Sequence, residues 1–117
     1  MQRIYVLAAL LAGSVCLSVQ AADTHHSTTA TSPMQQDYQR QMDEMHKGMM
    51  AGMKERNPDR AFAVGMLAHH KGAVEMAQSE LKYGTDPKMR ALAEEIIKAQ
   101  QAEIALMETW LKEHPAN

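Results

Sequence analysis

Apolar side chains recur along this chain with the period of helices. Between Pro33 and Lys54 they fall at Tyr38, Met42, Met45, Met49 and Met53. Those steps of three and four mark one helical face. A second helix is announced by "NPD", with Asn57 as cap and Pro58 at the first helical position. Its apolar arc takes in Phe62, Met66, Ala73, Val74, Ala77 and Leu81, and Gly84 is expected to cap its end. "DP" repeats the start signal at Asp86 and Pro87. The third helix then runs to about Glu113, with Leu92, Ile96, Ala99, Met107 and Trp110 on its apolar face and Pro115 beyond.

No stretch alternates as a strand does, so the class is all-α. The loop between the second and third helices is so short that they must fold back antiparallel. The expected architecture is an up-down-up bundle of three long helices. A chain this small struggles to build a core alone, and a fourth helix from a partner chain, in a homodimer, would complete it. The first helix is the weakest, because Gly48 and Gly52 lie inside it, each costing about 1 kcal/mol relative to Ala.

The start of the chain departs from this pattern. Arg3 is followed by an almost wholly apolar run from Ile4 to Val19, then by "SVQAAD". That is the form of a secretory signal peptide, too short for a membrane span. Residues 1–21 are assigned to it. Cleavage after Ala21 fits best and cleavage after Ala22 competes. Val15 before Cys16 is too large for an ordinary lipid-attachment site. Residues 22–33, "ADTHHSTTATSP", carry no pattern and read as a disordered lead. Residues 34–114 form the helical domain.

Export to a periplasm is therefore expected, with no membrane association after cleavage. Cys16, the single cysteine, leaves with the leader, so neither disulfides nor thiolate chemistry follow. Removing Arg3 from the 12 basic residues leaves 11 against 14 acidic, a net charge of −3. No basic cluster appears, which argues against nucleic acid.

Within this frame "MDEMHKGMMAGM", Met42 to Met53, concentrates methionine and a histidine. Methionine can fill an irregular core, or its thioether can bind a soft metal. On the second helix His69 and His70 flank Met66 inside the apolar arc, where each desolvated ring needs a partner. On the third, Glu103 lies within the apolar face and Gln100 at its edge. A carboxylate there calls for pairing, hydrogen bonding or a metal. With turns near residues 56 and 85, Met42 falls level with His70, His46 with Met66, His70 with Gln100 and Met66 with Glu103. The unusual residues thus converge at one depth.

Thioethers select copper(I), or silver(I), and imidazole suits copper in both oxidation states. Zinc prefers Cys and His. The candidate ligand pool is Met42, Met45, His46, Met49, Met66, His69, His70 and Met76, with more than one copper expected. Gln100 or Glu103 would accept a proton from a histidine ring and fix its tautomer. Gly65 and Gly72 are read as sites of close helix approach.

"DRAFAVGMLAHHKGAVEMA", followed by "DPKMRALAEEIIKAQQAEIALMETWL", resembles the family known as domain of unknown function 305. Its M-x-x-H-H-x-x-A-x-x-M-A helix corresponds to Met66, His69, His70, Ala73, Met76 and Ala77. Its Q-x-x-E-I-x-x-M-x-x-W-L helix corresponds to Gln100, Glu103, Ile104, Met107, Trp110 and Leu111. The resemblance covers about residues 57–112. It implies a ferritin-like helical architecture and, through exported members of the CopM type, copper binding in copper tolerance or trafficking. A periplasmic copper exporter or chaperone would be the partner.

Other chemistries fit less well. A di-iron oxidase needs paired E-x-x-H motifs, and this chain has only Asp43-x-x-His46. No catalytic constellation stands out, so a binding protein rather than an enzyme is expected. The alternatives are a non-covalent haem held by Met and His and a metal-free helical interaction module. Cleavage after Ala22 would also place His25 third in Asp23-Thr24-His25, a square-planar copper(II) arrangement. Against it stands the plainer reading of His25 and His26 as an unstructured pair.

Overall fold

The computed structural model describes residues 30–116. α1 spans Pro33–Gly52, α2 Pro58–Tyr83 and α3 Pro87–Glu113, and no strand occurs among the described residues. The leader, Cys16 and the His25 arrangement lie outside the described residues.

Each helix starts where a side-chain oxygen can meet the free N–H groups of its first turn. Ser32 and Gln35 form a reciprocal capping box on α1. Asn57 accepts from the Arg60 amide and opens α2, and Asp86 accepts from the Lys88 and Met89 amides on α3. Proline follows the cap in all three. Gly84 does end α2, but in an extended conformation (φ −76°, ψ 150°) rather than a left-handed cap. The chain passes directly from there to the Asp86 cap. Arg90 spans the turn, donating to the carbonyls of Leu81 at 2.8 Å and Gly84 at 3.0 Å.

The helices run up, down and up. α1 packs on α2 and α2 on α3, but no Cα of α1 comes within 8 Å of one in α3. The bundle is therefore opened out into a layer with α2 in the middle. Residues of α2 that meet α1 (Ala61, Gly65, Ala68, Gly72, Ser79) lie on the side of that helix opposite its buried Ala63, Val74 and Ala77.

Glycine sets the approach of α1 to α2. A β-carbon on Gly52 would stand 2.9 Å from the Ala61 carbonyl oxygen and 2.9 Å from the Gly65 nitrogen, and one on Gly48 would collide with the Ala68 methyl. The glycines that weaken α1 as an isolated helix are thus what let its backbone touch α2. Gln41 Nε2 donates to Ser79 Oγ at 2.7 Å inside the same seam, both residues being buried.

The α2–α3 seam is built instead from Ala63, Val74 and Ala77 against Ala93 and Met107, all buried. No large side chain is fully buried among the described residues, as expected when no third side closes the core. Phe62 and Leu92, expected inside, are 66% and 47% exposed. The wheel identified their face correctly as apolar, but a flat layer gives that face nothing to pack against.

The two broad faces of the layer differ. One is laced by ion pairs across the seams: Arg40–Glu75 at 3.8 Å, Lys71–Glu108 at 2.6 Å and Lys82–Asp37 at 2.9 Å. The other presents Met42, Met49, Phe62, Met76, Leu92 and Leu106, all exposed. At the end of the layer Arg60 takes Glu55 in two bonds, of 2.9 and 3.1 Å, and donates to the His114 carbonyl. His114 stacks on Trp110 at 4.1 Å. No helix among the described residues is long and apolar enough to cross a membrane.

Candidate metal centre

The α1–α2 seam fixes the positions of the sulfur donors. The Met45 side chain lies over Gly72, its sulfur 2.7 Å from where a β-carbon on that glycine would be. Any larger residue would occupy the space the thioether uses. Gly72 therefore does more than bring the helices together; it makes room for a sulfur. Its heptad spacing from Gly65 pointed to a close approach and not to this.

One turn either way along α1 from Met45 come Met42 and Met49. One turn either way along α2 from Gly72 come His69 and Met76. Helix handedness puts all four on the exposed apolar face of the layer: in an antiparallel pair, the flank of α1 that carries Met42 and Met49 borders the flank of α2 that carries His69 and Met76. Met42, Met49 and Met76 are 46%, 42% and 37% exposed, and His69 is exposed too. Their donor atoms are open to an incoming ion, while Met45 is half-buried beneath them.

His70 belongs to the other seam. Its Nδ1 lies 2.9 Å from the Met66 carbonyl oxygen and its Nε2 lies 2.5 Å from Glu103 Oε2. Both partners are acceptors, so a ring making both contacts uses both of its N–H groups. A nitrogen that donates cannot ligate. Metal at His70 would require one contact to be given up. The ring is 12% exposed and the Glu103 side chain 65%, so solvent reaches this bridge from the carboxylate side.

The expected convergence is thus divided. Glu103 does meet a histidine, but His70 rather than the level of Met66. The Gln100 Oε1 is buried without a hydrogen-bond partner. The two histidine rings, 6.0 Å apart and inclined at 65°, face different seams. Along α1 the register differs by more than one turn: Met42 lies level with Glu75 and Met76, not with His70, because the seating of Gly52 on Ala61 and Gly65 sets the stagger. The loop midpoint does not. His46 is exposed on the outer flank of α1, away from Met66. An open cleft of about 1010 Å³ beside the α1–α2 turn, bordered by Lys54, Glu55, Arg60, Trp110 and His114, contains none of the candidate ligands.

The layer's scaffold is held by carboxylates outside this site. Asp37 is held below its ordinary carboxylate range by the hydroxyl of Tyr83 and then by Lys82. Glu55 is lowered by Arg60 and Glu108 by Lys71.

With the geometry in place, comparison with known families is informative. A family model described as "Domain of unknown function (DUF305)" matches residues 6–111. The chain belongs to the DUF305 family. No curated protein matches it. The DUF305 match takes in α1, α2 and α3 as far as Leu111, with both halves of the histidine–methionine pattern, and it begins inside the apolar segment read as a leader.

Whether the DUF305 residues present here suit a metal turns on donor type. No three His, Cys, Asp or Glu side chains gather to hold an ion among the described residues. A hard or borderline ion that needs oxygen and nitrogen ligands has no prepared site there. What the α1–α2 seam offers is thioether sulfur with one imidazole, a set that suits copper(I) or silver(I).

Proposed function

We propose that this DUF305 protein binds copper(I) on the α1–α2 seam and acts outside the cytoplasm as a copper buffer or chaperone. The observation that carries the reading is the Met45 sulfur lodged over Gly72, with Met42, Met49, Met76 and His69 within one turn of it on an open face. Three or four of these saturate one copper(I). Thioethers keep their ligating form in an oxidising compartment, where thiols would be lost to oxidation, and the chain's apolar leader fits delivery there.

His70 supports this site without belonging to it. Its ring ties α2 to α3 through Glu103 and so steadies the helix that carries His69. Met66 lends its carbonyl to that tie. Met66, His46 and His70 are not needed for this copper.

Anaerobic native mass spectrometry with copper(I) tests the reading. The wild-type chain should take up at least one copper. Met45→Leu, which keeps the volume, and His69→Ala should each weaken that adduct. His70→Ala should leave it in place. No adduct on the wild-type chain removes copper from the account, and the methionines then serve packing alone.

A further inference from the structure

The face of the layer that carries the sulfurs is too apolar to stay wet. Helices of 20–27 residues are about 30–40 Å long. At about 8–10 Å between axes, three of them make a face on the order of 1,000 Å². Soluble monomers rarely expose a contiguous apolar patch of more than a few hundred Å², and a standard interface takes about 800 Å² from each partner. Exposed on this face are Met42, Met49, Phe62, Met76, Leu92 and Leu106. Between α2 and α3, Phe62 and Leu106 border a groove of about 350 Å³ lined also by Ala63, Met107 and Trp110, with Asp59 at its edge.

We propose that a second copy of this chain covers this face, the two layers meeting face to face about a two-fold axis. Three observations favour a copy over other occupants. First, the extent of the face matches what a stable dimer needs. Second, a two-fold interface brings each residue near its own twin or its neighbours, so a charged face repels itself. Here the cross-seam ion pairs of Arg40, Lys71 and Lys82 with Glu75, Glu108 and Asp37 lie on the opposite face, and Asp59 stands only at the edge of the groove. The apolar face carries one cross-seam contact between titratable groups, His70–Glu103, with the carboxylate already bound to the ring. Third, the stretch between the leader and α1, "ADTHHSTTATSP", has no large apolar side chain to lay on the groove, and neither has the "HPA" that follows α3.

The dimer encloses the sulfur donors of both copies in one interface. That consequence rests on the copper reading; the dimer itself does not.

Sedimentation velocity on the exported protein, metal-free in a chelator, tests it at micromolar concentrations, with intact mass recording the N-terminus. A dimer is expected. Phe62→Glu and Leu106→Glu should each raise the dissociation constant at least about tenfold, since an unpaired carboxylate would be buried. Circular dichroism should show their helix content unchanged, because both positions are exposed within one copy. Gln78→Glu, on the charged side of α2, should leave the dimer intact. A wild-type monomer overturns the proposal. So does a dimer indifferent to both glutamates. A full-length chain that is monomeric, with Ile4 to Val19 protected from proteolysis, also overturns it and gives the face to the leader. Since no metal is present, none of these outcomes bears on copper binding, and a chain that dimerises without binding copper would sink only the functional reading.

Discussion

The two seams of the layer use opposite means to join helices. Between α2 and α3 the buried groups are Ala63, Val74, Ala77, Ala93 and Met107, an ordinary small-residue core with the His70–Glu103 bridge at its edge. Between α1 and α2 the contacts are Gly48 against the Ala68 methyl, Gly52 against the Ala61 and Gly65 backbone, a buried Gln41–Ser79 hydrogen bond, and the Met45 sulfur over Gly72. The first seam stores its stability in side-chain burial. The second gives up side chains to gain proximity, and uses the space for a thioether. The α1–α2 seam is thus poorer in apolar side-chain packing than its neighbour, and close helix approach supplies the contact instead.

Substitutions can separate the two. The largest effect belongs to Gly52→Val. The new side chain would meet the Ala61 carbonyl and the Gly65 nitrogen at the backbone, which cannot rotate away. A loss of about 3 kcal/mol or more is expected, and a fall in Tm of more than about 10 °C. A thermal melt unchanged by this variant would mean that α1 does not seat on α2 as described.

Met107→Ala comes next and strikes the other seam. Deleting a buried methionine should cost about 2–3 kcal/mol while leaving the copper(I) stoichiometry unchanged. A loss of copper uptake with the helices still folded would merge the two seams into one site.

Acid acts on pairs that cross the two seams and on the Glu55–Arg60 pair at the α1–α2 turn. Asp37, Glu55 and Glu108 have folded pKa values below their ordinary values of 3.8 and 4.5. Their stabilisation is full above those ordinary values and is lost as pH falls through the lowered ones. Tm should therefore decline below about pH 4.5. Glu108→Gln should flatten part of that decline, and an identical pH profile would deny the Lys71 pair a role.

The smallest effect on stability and the sharpest on function is expected from Gly72→Ala. The gain in helix propensity, up to about 1 kcal/mol, offsets part of the cost of moving Met45, whose sulfur would stand 2.7 Å and whose β- and γ-carbons 3.1 Å from the new methyl, so Tm should fall only slightly. Copper(I) affinity should fall about tenfold or more, the equivalent of roughly 1.4 kcal/mol lost with one donor. Competition with a copper(I) chelator measures it.

The helices were legible because their signals are local. Asn57, Pro58, Asp86 and Pro87 start them, and the periodicity fixes their faces. What was not legible depended on how faces meet. A wheel marks Phe62 and Leu92 as apolar without saying that the layer leaves them uncovered. Loop length predicts that α1 and α2 are antiparallel, but the stagger that puts Met42 beside Met76 is set by glycine contacts far from the loop. The division of His69 from His70 has the same origin: neighbours 100° apart on α2 serve different helices once α1 and α3 lie on opposite flanks. Glu103 was recognisable as needing a partner, and its position facing His70 is what the α2–α3 register alone could approximate.

The central claim is that sulfur on the α1–α2 seam holds the metal. X-ray absorption at the copper edge, on the anaerobic protein loaded with one copper(I), tests it most directly. The account predicts a shell dominated by thioether sulfur with one imidazole nitrogen, and loss of part of the sulfur scattering in Met45→Leu. A shell of nitrogen and oxygen alone, unchanged by Met45→Leu, would contradict it.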